Sequence, residues 1–114
     1  MIKVVLADDH PIWRDGVRND LGEGFTVVGE ADGARSALPA VAALSPDVVL
    51  VDVALPDGDG FDVCADIVRE HNASVVLTSS RTITGLQDRL RRSRARGFIP
   101  KGDLSGSAIR ALTG

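Results

Sequence analysis

Cysteine and long apolar stretches are scarce in this chain of 114 residues, and both absences are informative. Cys64 is the only cysteine, which excludes an internal disulfide and fits a reducing cytoplasm. No run of about 18 apolar residues occurs, which argues against a membrane-spanning helix, and Met1 leads directly into a strand pattern rather than a signal peptide. The net charge of −3 disfavours a nucleic-acid surface covering the whole domain. The composition therefore predicts one cytoplasmic globular domain with a core of its own.

What the chain does contain is a regular alternation of strand and helix patterns. The predicted strands cover residues 3–7, 26–30, 48–51, 74–78 and 97–100, and the first and third are Val-rich runs that end at a charge. The predicted helices cover residues 11–21, a stretch from the Asp32-Gly33 turn to about Leu44, 60–70, a part of 83–95, and 104–112. Strands and helices in this order predict right-handed βαβ units and a doubly wound α/β fold with a parallel sheet.

Apolar stripes predict which faces of two helices are buried. They comprise Ile12, Val17 and Leu21 in the first helix and Phe61, Cys64, Ile67 and Val68 in the third. The stripe in the third helix makes Cys64 a core residue. In the second helix, Pro39 lacks an N–H and clashes with the preceding turn, so we expect a kink or a later start there.

Polar residues follow the predicted strands at the edge where open parallel sheets bind ligands. Asp8 and Asp9 follow the first strand and Asp52 follows the third. Carboxylates that lie close repel one another, and a hard divalent ion, above all Mg²⁺, relieves that repulsion. Thr78 and Lys101 end two further strands, where a hydroxyl and an ammonium suit phosphoryl oxygens. Since a carboxylate that attacks phosphorus forms an acyl phosphate, the set favours phosphoryl transfer with Asp52 as nucleophile and third metal ligand.

Four sequence motifs in register resemble the receiver domain of bacterial two-component response regulators. They are residues 6–11 (LADDHP), 51–60 (VDVALPDGDG), 76–79 (VLTS) and 97–101 (GFIPK). The Asp-Asp-His-Pro opening and the Gly-Phe-Ile-Pro-Lys-Gly-Asp-Leu stretch are similar to the NarL-like subgroup. The resemblance implies a flavodoxin-like (βα)5 fold with strand order 2-1-3-4-5 over residues 1–114, with any C-terminal output domain lying outside this chain.

The resemblance also implies a phosphorylation site around Asp52. A sensor histidine kinase would transfer a phosphoryl group from its phosphohistidine to Asp52. Mg²⁺, for which Mn²⁺ can substitute, would be held by Asp8, Asp9, Asp52 and the backbone carbonyl of Ala54. Ala54 and Ser80 match the two positions that tune dephosphorylation. Such a domain is a switch that catalyses its own phosphorylation and dephosphorylation, and not a turnover enzyme.

The output side of the domain is implied in the same way. Thr78, Lys101 and Phe98 match the switch hydroxyl, the phosphoryl-binding cation and the aromatic switch residue. The face formed by helix 4, strand 5 and helix 5 would then change its packing, which makes it a candidate homodimer interface. Control of transcription would require DNA contact through a C-terminal domain absent from this chain, and no membrane partner is expected.

Several alternatives remain open from the sequence alone. A phosphohydrolase of haloacid-dehalogenase type also uses an aspartate nucleophile and Mg²⁺, and a stand-alone or phosphorylation-independent pseudo-receiver would act only as an interaction module. His10 suits the start of a helix beside the site better than a metal-ligand role, and Phe98 fits a core position as well as a switch. The arginines on and around the fourth helix form either a solvated face or a docking face for an acidic partner or a dimer mate; they are Arg81, Arg89, Arg91, Arg92, Arg94 and Arg96.

Overall fold

The computed structural model describes residues 1–81 and 85–114. Within them, strands and helices alternate as follows: β1 (Ile2–Ala7), α1 (Pro11–Asp20), β2 (Phe25–Ala31), α2 (Ala34–Leu44), β3 (Val48–Asp52), β4 (Ala54–Leu55), β5 (Gly58–Asp59), α3 (Gly60–Glu70), β6 (Ser74–Ser79), α4 (Gln87–Arg92), β7 (Gly97–Pro100) and α5 (Gly106–Thr113). A short 3₁₀ turn, Lys101–Asp103, joins β7 to α5. None of the described helices combines the length and the apolar character needed to cross a membrane.

Five of the strands form one parallel sheet in the order β2-β1-β3-β6-β7. Leaving out the short strands β4 and β5, this is the predicted order 2-1-3-4-5, and the flavodoxin-like fold is confirmed. The strands β4 and β5 pair with each other in an antiparallel hairpin directly after β3, with Ala54 opposite Asp59 and Leu55 opposite Gly58. The sequence patterns did not predict this hairpin because two-residue strands are too short to show a period.

Side chains from both faces of the sheet build two separate parts of the core. Successive residues of a strand point to opposite faces. Val49 and Val51 of β3 therefore join the cluster under α2 and α3, whereas Val48 and Leu50 join the cluster under α1 and α5. Cys64 on α3 is wholly buried in the first cluster, as predicted. Burial on both faces explains why the central strands are almost continuously apolar.

The predicted inward orientation of Ile12 is wrong, since this side chain is 89% exposed. Val17 and Leu21, predicted with it, are buried. An α-helix turns about 100° per residue, so Leu21 lies about 40° around the helix axis from Val17, whereas Ile12 lies about 140° away. Ile12 consequently points to solvent from the first turn of α1.

Helix α2 begins at Ala34, so the later start considered for this helix because of Pro39 is wrong. Pro39 lies inside the helix on its exposed side. The carbonyl of Arg35, which would have accepted a bond from an N–H at position 39, belongs to an exposed residue. Water can therefore bond to this carbonyl, which makes proline tolerable here.

The other helix boundaries agree with the sequence except at the two last helices. The third helix spans Gly60–Glu70 as predicted. Helix α4 covers Gln87–Arg92 within the predicted 83–95 stretch, of which residues 83 and 84 lie outside the described residues. Helix α5 begins after Leu104 because Ser105 caps it, with Oγ accepting a hydrogen bond from Ala108 N at 3.0 Å.

Candidate functional site

The carboxyl ends of four neighbouring strands bring the predicted polar residues together. Asp8 and Asp9 follow β1, Asp52 ends β3, Thr78 lies in β6 and Lys101 follows β7. One ligand atom from each of Asp8, Asp9, His10 and Asp52 lies within 4.8 Å of the others. Carboxylate oxygens this close form an acidic pocket that can bind a metal ion.

Lys101 bridges the two buried carboxylates of this pocket. Its Nζ lies 2.6 Å from Asp8 Oδ2 and 2.9 Å from Asp52 Oδ2, and its side chain is only 9% exposed. The same ammonium lies 4.6 Å from the centre of the Trp13 ring, a cation–π distance. One desolvated cation therefore serves two desolvated anions, which leaves a net negative charge in the pocket.

The two buried carboxylates differ in how readily they ionise. Burial raises the pKa of Asp8, but hydrogen bonds from Lys101 and from the His10 backbone outweigh burial and lower the pKa overall. For Asp52 burial dominates, and the Ala54 N–H and Lys101 compensate only in part, so its pKa is raised. Burial also lowers the pKa of Lys101, yet both carboxylates outweigh it and the pKa is raised. Lys101 therefore stays protonated. Further positive charge near the pocket would stabilise the ionised form of Asp52 more than that of Asp8.

The sequence predicts His10 at the start of α1 beside the site, and the structure brings its imidazole into contact with the acids of the pocket. The Nδ1 atom lies 2.8 Å from Asp8 Oδ1, 3.2 Å from Asp9 Oδ1 and 3.1 Å from Lys101 Nζ. The backbone N–H of His10 donates to Asp8 Oδ1 at 2.7 Å. This turn, in which a carboxylate accepts from the N–H two residues later, draws the ring toward the acids. The Asp-x-His spacing in the sequence is the pattern that could have predicted this contact between Asp8 and His10.

Thr78 lies opposite Asp52 in the register of β6 and β3. It is fully buried, and its hydroxyl has no hydrogen-bond partner among the described residues. Its backbone carbonyl accepts from the Val53 N–H at 2.9 Å, which ties the two strand ends together. A buried hydroxyl without a partner is costly, so it would gain from a new acceptor in the pocket.

A cavity of about 250 Å³ opens beside Asp52. Its lining includes Ala54, Ser80 and Arg81. The backbone N–H of Ala54 donates to Asp52 Oδ1 at 2.9 Å, so Ala54 lies directly beside the carboxylate. Small side chains at Ala54 and Ser80 leave this approach to Asp52 open.

Phe98 lies apart from this cavity, in β7 opposite Leu77. It is half-buried and packs against the core cluster that α2 and α3 cover. Leu90 of α4 packs against the same cluster. The structure thus places Phe98 on the side of the sheet to which α4 is attached.

The parallel α/β sheet with acids, a hydroxyl and a lysine at its carboxyl edge defines a signalling domain of the receiver type. A family model described as "Response regulator receiver domain" matches residues 4–110. The chain belongs to the response regulator receiver domain family, and the resemblance found in the sequence is confirmed.

Individual relatives agree with this assignment. The chain is 36% identical over 113 residues to the DNA-binding transcriptional activator DevR/DosR of Mycobacterium tuberculosis, covering 96% of this chain and 51% of the relative. It is 38% identical over 89 residues to a protein-glutamate methylesterase/protein-glutamine glutaminase of Geobacillus kaustophilus, covering 76% of this chain and 26% of that protein. The solved signal receiver domain of the response regulator NarL from Mycobacterium tuberculosis superposes with a TM-score of 0.83 at 32% identity, covering 99% of this chain and 97% of that one. The chain spans about half the length, or less, of the curated relatives it matches.

Proposed function

We propose that this domain is a Mg²⁺-dependent phospho-acceptor switch in which a sensor histidine kinase phosphorylates Asp52. The observation that carries the proposal is the position of Asp52, a buried carboxylate 2.9 Å from Lys101 Nζ within an acidic pocket. The three carboxylates offer hard oxygen ligands and carry excess negative charge. Both properties fit a divalent cation such as Mg²⁺, with Mn²⁺ as a substitute.

The proposed metal ligands are Asp8, Asp9, Asp52 and the backbone carbonyl of Ala54. Mg²⁺, when bound, neutralises negative charge on the phosphoryl oxygens. Lys101, whose Nζ lies 2.9 Å from Asp52 Oδ2, supplies a second positive charge. A bound cation would further favour the ionised Asp52 carboxylate, because Lys101 only partly offsets the burial that raises its pKa.

The proposed chemistry is an in-line displacement at phosphorus. One carboxylate oxygen of Asp52 forms a bond to phosphorus as the bond from phosphorus to the donor's imidazole nitrogen breaks, and the imidazole leaves with that electron pair. The Ala54 N–H holds Asp52 Oδ1 at 2.9 Å and thereby orients the carboxylate. Hydrolysis of the acyl phosphate returns the domain to its first state, and the small side chains of Ala54 and Ser80 govern the access of water.

The proposed switch follows from the Thr78 hydroxyl, which has no hydrogen-bond partner among the described residues. A phosphoryl group on Asp52 offers that hydroxyl a strong acceptor and draws it toward the acidic pocket. The movement biases the packing of Phe98 and hence the face made of α4, β7 and α5. This face is the proposed homodimer interface.

The proposed output is control of transcription in the cytoplasm through a DNA-binding domain outside this chain, by analogy with the activator DevR/DosR. The domain acts as a switch and not as a turnover enzyme. The family match argues against a phosphohydrolase of haloacid-dehalogenase type. A stand-alone or phosphorylation-independent pseudo-receiver differs from the proposed switch in one testable respect, since its function would not depend on Asp52.

Labelling with acetyl phosphate tests the proposal. Wild-type protein with Mg²⁺ should gain one phosphoryl group by mass spectrometry, whereas Asp52→Asn and wild type in excess chelator should gain none. Asp66→Asn, which removes an exposed carboxylate on α3, is the matched control and should label normally. Labelling that persists in Asp52→Asn or in chelator would contradict the proposal, as would the absence of NMR shifts at Thr78 with Mg²⁺ and beryllofluoride.

A further inference from the structure

Helix α2 begins without a side-chain cap of its own. The residue before the helix is Gly33, whose missing side chain cannot accept hydrogen bonds from the first helical N–H groups. Asp57 supplies the acceptors instead, from a position 23 residues further along the chain than Ala34. Its Oδ1 accepts from Ala34 N at 2.5 Å and its Oδ2 accepts from Arg35 N at 3.1 Å.

Asp57 lies in the turn of the β4–β5 hairpin that follows Asp52. The hairpin pairs Leu55 with Gly58, so Asp57 is one of the two residues at its tip. The two hydrogen bonds from α2 therefore hold the tip of the hairpin. At the other end of the hairpin, Ala54 donates its N–H to Asp52 Oδ1.

The hairpin and the start of α2 pack closely, with a glycine on each side of the contact. A Cβ atom at position 33 would lie 2.5 Å from Asp57 Oδ1, and a Cβ at position 58 would lie 2.8 Å from Ala34 Cβ. The pKa of Asp57 is lowered by the N–H of Ala34 and then by that of Arg35, so the charged acceptor is the form that α2 holds. The Asp57 carboxylate thus occupies the space that a capping side chain at position 33 would fill.

We propose that Asp57 is a positioning residue that anchors the β4–β5 hairpin to the start of α2 and so fixes the Ala54 backbone beside Asp52. The part of this inference that concerns the metal rests on the proposed function, because the Ala54 carbonyl is there a ligand. The anchoring itself concerns only contacts within this domain. Outer contacts of this kind orient the groups that bind a metal and commonly change its affinity when removed.

Three variants separate anchoring from the stability of α2. Asp57→Ala removes both acceptors and frees the hairpin tip. Ser36→Ala is the matched control, because Ser36 Oγ accepts from Gly33 N at 3.2 Å and supports the same helix start without touching the hairpin. Asp57→Asn keeps one acceptor oxygen and should restore part of the anchoring.

Amide hydrogen exchange, followed by NMR on the metal-free domain, is the first measurement. Asp57→Ala should raise the exchange rate of the Ala54 amide by about tenfold, whereas Ser36→Ala should raise exchange at Gly33, whose N–H donates to Ser36 Oγ, and leave Ala54 unchanged. Asp57→Asn should fall between wild type and Asp57→Ala. Equal rates at Ala54 in Asp57→Ala and Ser36→Ala would overturn the inference.

Mg²⁺ affinity is the second measurement. Trp13 is the only tryptophan and faces Lys101, so its fluorescence reports on the pocket, with calorimetry as an independent check. Asp57→Ala should raise the Mg²⁺ Kd by about tenfold and Ser36→Ala by less than about twofold. Faster exchange of the Ala54 amide in Asp57→Ala with an unchanged Mg²⁺ Kd would overturn the role of Asp57 in the metal site. A wild-type domain that binds no Mg²⁺ would refute the proposed function. Faster exchange of the Ala54 amide in Asp57→Ala but not in Ser36→Ala would still establish that Asp57 anchors the hairpin.

Discussion

Charged residues concentrate in two regions of this domain, and water reaches them very differently. At the carboxyl edge of the sheet, Asp8, Asp52 and Lys101 are almost wholly buried. On α4, the side chains of Arg89 and Arg91 are 40% and 72% exposed, and no residue of that helix is buried. Charges shielded from water interact strongly and are costly when unpaired, whereas exposed pairs contribute little. The buried pocket should therefore dominate both stability and chemistry.

The arginine-rich region has few partners within the part of the chain that the structure describes. Arg89 is the most tightly held, because it pairs with Asp59 Oδ2 at 2.8 Å and lies 4.4 Å from the centre of the Phe61 ring. Arg91 contacts Asp88 on the same helix. The remaining arginines of this region make no ion pair with any described residue; they are Arg81, Arg92, Arg94 and Arg96. Their docking role stays a prediction.

Removal of Lys101 should give the largest change in stability. Lys101→Met leaves two buried carboxylates without their shared cation, so the free energy of unfolding should fall by about 3 kcal/mol in chelator. Mg²⁺ should restore part of this loss because it neutralises the same carboxylates. The control is Lys3→Met, which removes the only other lysine, an exposed one. Urea unfolding measures both, and equal losses in the two variants would show that the burial of Lys101 between the carboxylates adds nothing to stability.

Asp52→Asn should stabilise the metal-free domain although it abolishes labelling. The folded-state pKa of Asp52 is raised, so its ionised form destabilises the fold above that pKa. At neutral pH the metal-free variant should therefore unfold at a higher denaturant concentration than the wild type. The advantage should shrink as the pH falls through the folded pKa, because wild-type Asp52 then becomes neutral too. A loss of stability at neutral pH in chelator would contradict the raised pKa.

Thr78→Val should produce a smaller gain in stability. The substitution keeps the shape of the side chain and removes a buried hydroxyl that has no described partner, so unfolding should require about 1 kcal/mol more. Thr113→Val is the opposite case, because its hydroxyl donates to Ile109 O at 2.9 Å and a bond is lost. Thermal unfolding should move the two variants in opposite directions. A shift in the same direction would mean that the Thr78 hydroxyl is already satisfied.

The smallest effects are expected on α4. Arg89→Ala breaks an ion pair between partly exposed side chains and should lower the free energy of unfolding by about 0.5 kcal/mol. Arg92→Ala, which removes no ion pair in the described residues, should change it less. Chemical denaturation of both variants checks this order. A loss at Arg89 as large as that at Lys101 would show that α4 is held more firmly than its exposure indicates.

The sequence was sufficient to predict the positions of the candidate site residues that lie at the carboxyl ends of strands. Runs such as residues 48–51 are buried on both faces, so the position of Asp52 after such a run predicts the edge at which it lies. Asp8, Thr78 and Lys101 follow from the same reasoning, and the family motifs then suggest their roles.

Features that depend on tertiary contacts escaped prediction. The capping of α2 by Asp57 joins residues 23 positions apart, and no local pattern records such a contact. The proximity of the His10 ring to Asp9 and Lys101 depends on how one turn folds over the sheet edge. The apolar pattern predicts Ile12 to be buried, although its angle around the helix axis sets it apart from Val17 and Leu21, and it is exposed.

The complete burial of Cys64 has a practical consequence for labelling this protein. Burial raises the pKa of its thiol to about 11, so only about one molecule in ten thousand carries a thiolate at neutral pH. A cysteine introduced at an exposed position such as Ile12 would ionise far more readily and react first with maleimides or spin labels. The native thiol can therefore stay in place during single-site labelling, and a dye at position 12 would report on changes near α1 without a cysteine-free background.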